Sequence, residues 1–245
     1  MTDLELLKEK LLSLRLKTMA QNLEAVLQMA NEKNRDAPFV LNYLAELETE
    51  HRRLNAIKLR FQQSKLNEKL TIDQFDFNHH KSRKDQKTKI MSLGNLGFIR
   101  DNMDVIFIGN PGTGKTFLAK CIAYSSCAAN IKVLFTTAMD MINHLIAAEA
   151  DHSLLKKLNY YHSPALLVID ELGYLSLGQQ GSHLFFQVIS ARHQVKSTVL
   201  TTNLPFADWG NVFDSTTVAT AIADRLVHNS EVLVLEGESY RRKQK

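Results

Sequence analysis

The sequence predicts an α/β protein: a three-layer domain built on a parallel five-stranded sheet, preceded by a small α-helical N-terminal domain. Three observations carry this. Apolar residues recur at three- and four-residue spacing from Leu4 to Leu70. The pattern then changes to short unbroken apolar runs separated by helical stretches, and one of those runs leads into a glycine-rich loop that opens a helix. The length agrees, since 245 residues can bury one full α/β core and still carry an appendage. A hydrophobic content of 44% with only 4 Pro and 10 Gly fits a compact chain rather than a disordered or repeat-built one.

In chain order, Leu4, Leu7, Leu11 and Leu14 mark a first helical stripe, and Leu41, Leu44 and Leu47 a later one that Pro38 can start at its first turn. After the acidic Glu46, Glu48 and Glu50 the helical region turns basic at Arg52, Arg53, Lys58, Arg60, Lys65 and Lys69. A second basic cluster follows at Lys81, Arg83, Lys84, Lys87 and Lys89. Between them, Phe75 to His80 breaks the helical period, which sets a helical domain over 1–72 and the sheet domain over 73–245. Strands are expected at Val105–Ile108, Val133–Thr136, Leu166–Ile169, Thr198–Leu200 and Val232–Leu235, with a helix from Phe117 to Ala123. Unbroken apolar strands alternating with helices require a parallel sheet covered on both faces.

Composition narrows the setting. Cys121 and Cys127 lie six positions apart on one expected helix and point to different faces, so they read as reduced core thiols. The N-terminus has neither a basic start nor an unbroken apolar run, and no stretch approaches the ~20 apolar residues of a membrane span. A cytoplasmic protein with no membrane partner is the expectation. The net charge of +4 alone says little about a nucleic-acid partner.

The loop Gly109, Asn110, Pro111, Gly112, Thr113, Gly114, Lys115, Thr116 matches G-x-x-x-x-G-K-[ST] at every fixed position, after an apolar strand and before a helix. Gly112 and Gly114 let the backbone turn its N–H groups inward to cradle phosphates, with Phe117 following in the helix. Lys115 adds a point charge, and Thr116 offers a hydroxyl to Mg²⁺. A purely structural glycine turn is the bland alternative. The expected ligands are ATP and Mg²⁺.

The run Ala165 to Glu171 places two acids at the C-terminal end of a buried strand, where open α/β sheets keep their ligands. Asp170 would hold Mg²⁺ and Glu171 would polarise the attacking water, a division that hydrolysis requires and transfer to an acceptor hydroxyl does not. A solvated strand end is the alternative. Asn203, closing the Thr201–Thr202–Asn203 strand end, can reach a γ-phosphate or the attacking water, or is a turn residue before Pro205. Arg225, on the helical stretch Ala221 to Leu226, suits a site shared between subunits, where its planar charge would meet a neighbour's γ-phosphate, or it pairs with Asp224 on the surface. Arg241 is a further phosphate-facing candidate, competing with a basic tail.

The histidines show no ligand spacing with acids or cysteines, so no metal beyond Mg²⁺ is expected, and Trp209 reads as core packing. The basic clusters (Arg52, Arg53, Lys58 and Arg60, then Lys81, Arg83, Lys84 and Lys87) are either solvated helix faces or contacts to double-stranded DNA phosphates. Phosphate contacts carry little sequence preference.

The helical N-terminus, the Phe75 to Phe77 segment, GNPGTGKT, IDELGYL, LFFQVI, TTNLPF, the ADRL helix and GESYR together resemble the IstB-type AAA+ ATPases over nearly the whole chain. These are insertion-sequence transposition helpers related to the DnaC helicase loader. The resemblance implies an AAA+ fold, ATP-dependent homo-oligomerisation on double-stranded DNA, and recruitment and activation of an IstA-like transposase. It carries nucleotide-site roles to Lys115, Thr116, Asp170, Glu171, Asn203 and Arg225, and a sensor-2-like role to Arg241. Only 20 residues follow Arg225 (245 less 225), too few for a helical lid domain, which fits the IstB-like type.

The rival with the same core is a helicase loader, whose N-terminal helices would grip a replicative helicase. A metabolic P-loop kinase would need an acceptor pocket and an arginine-rich lid, for which no segment is evident. A non-hydrolysing scaffold is disfavoured by Asp170 and Glu171.

Overall fold

A computed structural model describes residues 2–240. The chain divides into two compact units, the first ending at Leu59 and the second beginning at Arg60.

The first unit is helical: α1 (Asp3–Ser13), α2 (Lys17–Glu32) and most of α3 (Ala37–Gln63). Thr2 caps α1 in a reciprocal capping box with Glu5. Leu23, Val26, Ala30, Val40 and Leu44 form a small buried core. The start of α2 has no side-chain cap of its own. Glu48 on α3 takes that role, accepting the Thr18 and Met19 N–H groups at 2.8 and 3.2 Å while Arg52 Nε donates to its other oxygen at 2.8 Å. Arg52, through this hydrogen bond above all, holds the Glu48 carboxyl below its usual range.

The division falls inside α3, before the expected boundary at 72, and the physical reason is burial. Leu66 and Ile72, with Phe61 and Leu70 against them, belong to the core of the second unit, and Phe135 N–H bonds Ser64 O at 2.8 Å. Residues 60–72 are therefore part of the sheet domain.

The second unit opens with a 3₁₀ turn at Ile72–Gln74 and three short helices, α4 (Lys81–Asp85), α5 (Lys87–Leu93) and α6 (Gly97–Arg100). Strands and helices then alternate: β1 (Asp104–Ile108), α7 (Lys115–Ala128), β2 (Val133–Thr137), α8 (Ala138–Ala150), α9 (Leu154–His162), β3 (Leu166–Leu172), α10 (Gly178–Arg192), β4 (Ser197–Thr202), a 3₁₀ turn (Phe206–Asn211), α11 (Thr216–Val227) and β5 (Ser230–Val234). All strand pairs are parallel in the order β2-β3-β4-β1-β5. Each of the five expected strands is present; the first four are extended by one to three residues, and the fifth starts two residues earlier than expected and ends at Val234, short of Leu235. Two cores line the two faces: Phe107, Leu118, Ile122 and Val168 on one, and Ile106, Leu167, Phe185 and Trp209 on the other. Successive β1 residues thus point to opposite layers, as strand geometry demands. Cys121 and Cys127 are free and buried in the first of these cores, and burial pushes the Cys121 thiol up to about 12.

At the N-terminal edge of the sheet, Arg192 is buried and donates to the carbonyls of Tyr161, His162, Pro164 and Ser197. Asp104 accepts the Thr198 N–H at 2.6 Å, and burial raises its carboxyl to about 7. No helix among the described residues is long and apolar enough to cross a membrane.

Candidate functional site: a phosphate loop facing paired acids

The site gathers at the C-terminal ends of β1, β3 and β4, the three central strands. The loop after β1 turns through left-handed backbone at Gly112 (φ +82°) and Gly114 (φ +100°). Both positions also need the missing side chain: a Cβ on Gly112 would run into Ser239, and one on Gly114 into the Phe75 ring. α7 then begins at Lys115, so its first-turn N–H groups, which have no intrahelical acceptor, open on the loop. Lys115 Nζ lies over the loop, donating to Gly109 O at 2.6 Å and Asn110 O at 2.9 Å. Thr116 Oγ1 donates to Asp170 Oδ1 at 3.0 Å.

Asp170 and Glu171 sit on an irregularity. β3 pairs with β4 at Ile169↔Leu200 and again at Leu172↔Thr202, so β3 spends one residue more than β4 across that interval. This is a β-bulge. Glu171 takes the strain in the left-handed region at φ +63°, a conformation costing about 1–3 kcal/mol for a non-glycine residue. The bulge turns the exposed Glu171 toward the cleft while Asp170 remains buried beside Thr116.

One cleft is lined by Gly112, Gly114, Lys115, Thr116, Phe117, Glu171, Thr201, Thr202 and Asn203, with Glu68, Leu70, Lys120, Tyr174 and Tyr240 completing it. The structure therefore brings the loop, Glu171 and Asn203 to one cleft, with Asp170 buried directly behind Thr116. Asn203 Oδ1 is buried with no hydrogen-bond partner among the described residues. Asn203 itself lines the cleft, so an orphaned acceptor on it suits a water O–H, and the opposite amide end would suit a phosphate oxygen. Gly109, Asn110, Pro111 and Thr113 shape the loop from outside the lining. Thr113 is fully buried, with its hydroxyl on Asn110 O at 2.9 Å.

The donor chemistry fits the expected ligands. A glycine cradle, a helix start and an ammonium group suit a polyphosphate. A hydroxyl and a carboxylate in contact at its edge suit Mg²⁺, which takes few protein oxygens and completes its shell with water and phosphate.

Two expectations fall elsewhere. Arg225 is not in the cleft; its Nη1 donates to Ala221 O at 2.9 Å and its guanidinium lies 4.5 Å from the Phe186 ring centroid. It lines a shallow surface groove with Thr216, Thr217, Thr220 and Asp224. Arg241 lies outside the described residues.

The basic clusters separate into exposed and committed charges, and Lys87, though exposed, lies 5.5 Å from the Phe77 ring centroid. Lys58, Lys81, Lys84 and Lys87 are exposed. Arg53 pairs with Glu50 at 2.8 Å, Arg52 is tied to Glu48 and to Arg15 O, and Arg60 Nε donates to Asn130. Arg83 leaves the surface cluster altogether. It is 2% exposed, and it donates to Thr113 O at 2.7 Å and Asp76 O at 3.1 Å between the Phe75 and Tyr240 rings, at 4.7 and 5.5 Å. Desolvation lowers its pKa. The segment before the sheet thus grips the phosphate loop, and residues 236–240 do so from the other side, Tyr240 N–H meeting Gly112 O at 3.0 Å. Sequence reasoning missed this clamp; its one local signal is the aromatic pair Phe75 and Phe77 just before Arg83.

Known proteins bear on this arrangement. The family model described as IstB-like ATP binding protein matches residues 9–245. The chain belongs to that family. The ATP-binding protein of insertion sequence IS5376 from Geobacillus stearothermophilus is 37% identical over 95% of this chain and 92% of its own length. That of IS21 from Pseudomonas aeruginosa is 34% identical over 100% and 91%. Among solved structures, the crystal structure of the DnaC helicase loader matches with a TM-score of 0.58 at 23% identity, over 67% of this chain and 96% of that one. AMPPCP-bound DnaA from Aquifex aeolicus matches at 0.59 and 20%, over 74% and 54%. At these identities the structural likeness speaks for the AAA+ fold alone. Membership of the IstB-like family makes this chain an ATP-binding protein.

Proposed function

We propose that this chain is an ATP-hydrolysing transposition helper that assembles as a homo-oligomer on double-stranded DNA, with little sequence preference, and recruits and activates a partner transposase of the IstA-like kind. The observation that carries the hydrolytic part is the convergence of Thr116, Glu171 and Asn203 on the cleft floored by the phosphate loop, with Asp170 bonded to Thr116 behind it. In this reading Thr116 and Asp170 hold Mg²⁺, which screens charge on the phosphates when bound. Lys115 turns from the loop carbonyls to the phosphates. Glu171 accepts a proton from the attacking water, and Asn203 orients that water or the γ-phosphate.

Arg225 supports the shared-site part of the proposal. A guanidinium on α11, outside its own cleft and held by Ala221 and Phe186, is available to a second copy. The exposed Lys81, Lys84 and Lys87 supply the DNA-facing charge. Relatives of nearly equal length named for insertion sequences favour the transposition role over helicase loading.

Phosphate release should be measured with and without duplex DNA, alongside sizing of the complex with a non-hydrolysable ATP analogue. DNA-stimulated turnover and ATP-dependent assembly are expected; a monomer with turnover indifferent to DNA refutes the proposal. Pull-down with transposase against pull-down with a hexameric helicase decides between the two partners.

A further inference from the structure

The bulge leaves a single β4 residue, Thr201, opposite both acids. Its side chain is 1% exposed and makes two bonds: Oγ1 donates to Asp170 Oδ1 and accepts the Glu171 N–H at 2.9 Å. Asp170 Oδ1 also receives Thr116 Oγ1, so the hydroxyls of β4 and α7 converge on one carboxylate oxygen and leave the other for further ligation. The Glu171 amide belongs to the residue that carries the left-handed strain. One hydroxyl thus closes a bridge across the irregular stretch of the β3–β4 ladder, where regular pairing is interrupted.

We infer that Thr201 is a positioning residue for both acids at once, fixing the carboxylate that meets the metal and the backbone that aims the water-polarising one. A hydroxyl is the smallest group that can donate and accept in these two directions together. Valine has nearly the same shape and can do neither. The inference rests on the hydrolytic reading of the site, and it predicts that binding and turnover separate.

Thr201→Val and Thr201→Ser are compared with the parent full-length chain. In Thr201→Val, kcat should fall about 10- to 100-fold, the range typical of residues that orient first-contact ligands, while metal-free ATP affinity stays within about threefold. The Mg²⁺ concentration giving half-maximal tightening of ATP binding should rise. Amide exchange at Glu171, followed without nucleotide, should lose its protection. Thr201→Ser, which keeps the hydroxyl, should restore all three, which a role in packing the methyl would not allow. Thr201→Val with parental turnover and parental Glu171 protection overturns the inference while leaving hydrolysis intact. Equal loss in Thr201→Ser overturns it in favour of packing. A parent chain that releases no phosphate, even on duplex DNA, overturns the hydrolytic reading and this inference with it.

Discussion

Replacing Arg83 tests whether the second basic cluster is one surface or two different things. Arg83→Ala removes a buried cation that donates to Thr113 O and Asp76 O and lies between two aromatic rings. Losing the donor to the fully buried residue Thr113 costs about 1–3 kcal/mol and the ring contacts up to about 2 kcal/mol. Release of a desolvated charge offsets part of this, which leaves a net loss of about 1–3 kcal/mol. Thr113 O belongs to the phosphate loop, so ATP affinity should fall about tenfold or more in step with stability. Arg83→Lys should recover little, because an ammonium group cannot bond both carbonyls in the plane that stacks between the rings. Urea unfolding followed in the sheet domain, ATP titration, and duplex DNA binding at several salt concentrations form the assay. The slope of log affinity against log salt should not change in Arg83→Ala, but should fall by about 0.9 for each of Lys81, Lys84 and Lys87 replaced by Ala. A stability change under about 0.5 kcal/mol, joined to a salt slope reduced by about one, refutes the buried-clamp account and returns Arg83 to the DNA face.

Glu171→Gln should bind ATP with near-parental affinity and turn over at least about 100-fold more slowly, read by phosphate release against nucleotide titration. Lys115→Ala should lose ATP affinity itself, as measured by the same titration. Mixing Arg225→Ala with Glu171→Gln should restore part of the activity that each lacks alone, since mixed assemblies contain one intact shared site; no recovery at any ratio counts against Arg225 acting across subunits. Asp104 binds its proton more tightly folded, at about 7, than unfolded, near 3.8. Its contribution to stability is therefore full below about pH 4 and lost as the pH rises to about 7, at up to about 1.4 kcal/mol per pH unit. Asp104→Asn keeps an acceptor for Thr198 N–H and should flatten that part of the stability–pH curve.

The sheet was legible because buried parallel strands are written as apolar runs, and Val105–Ile108 and Leu166–Ile169 show nothing else. That Lys115, Thr116, Asp170 and Glu171 would lie close together was legible because the glycine loop opens a helix after one apolar strand and the two acids end another. Three things were not. The tie of residues 60–72 to the sheet domain depends on Leu66 and Ile72 reaching a distant core, and their helical period is the same as that of the first unit. The burial of Arg83 depends on rings at Phe75 and Tyr240, one of them 157 positions away (240 less 83). The importance of Thr201 arises from a one-residue mismatch between two strands, which neither strand reveals alone.

The contact of residues 236–240 with the phosphate loop bears on how this protein can be handled. Tyr240 N–H on Gly112 O, Ser239 against Gly112, and His79 within 3.3 Å of Glu238 O make this stretch part of the loop's own scaffold. A fluorophore or affinity tag joined directly after it would report on, and disturb, nucleotide occupancy. A chain cut after Leu235 would lose a wall of its cleft even though every strand of the sheet remained. Fusions meant to be silent belong at the other end, on the helical unit.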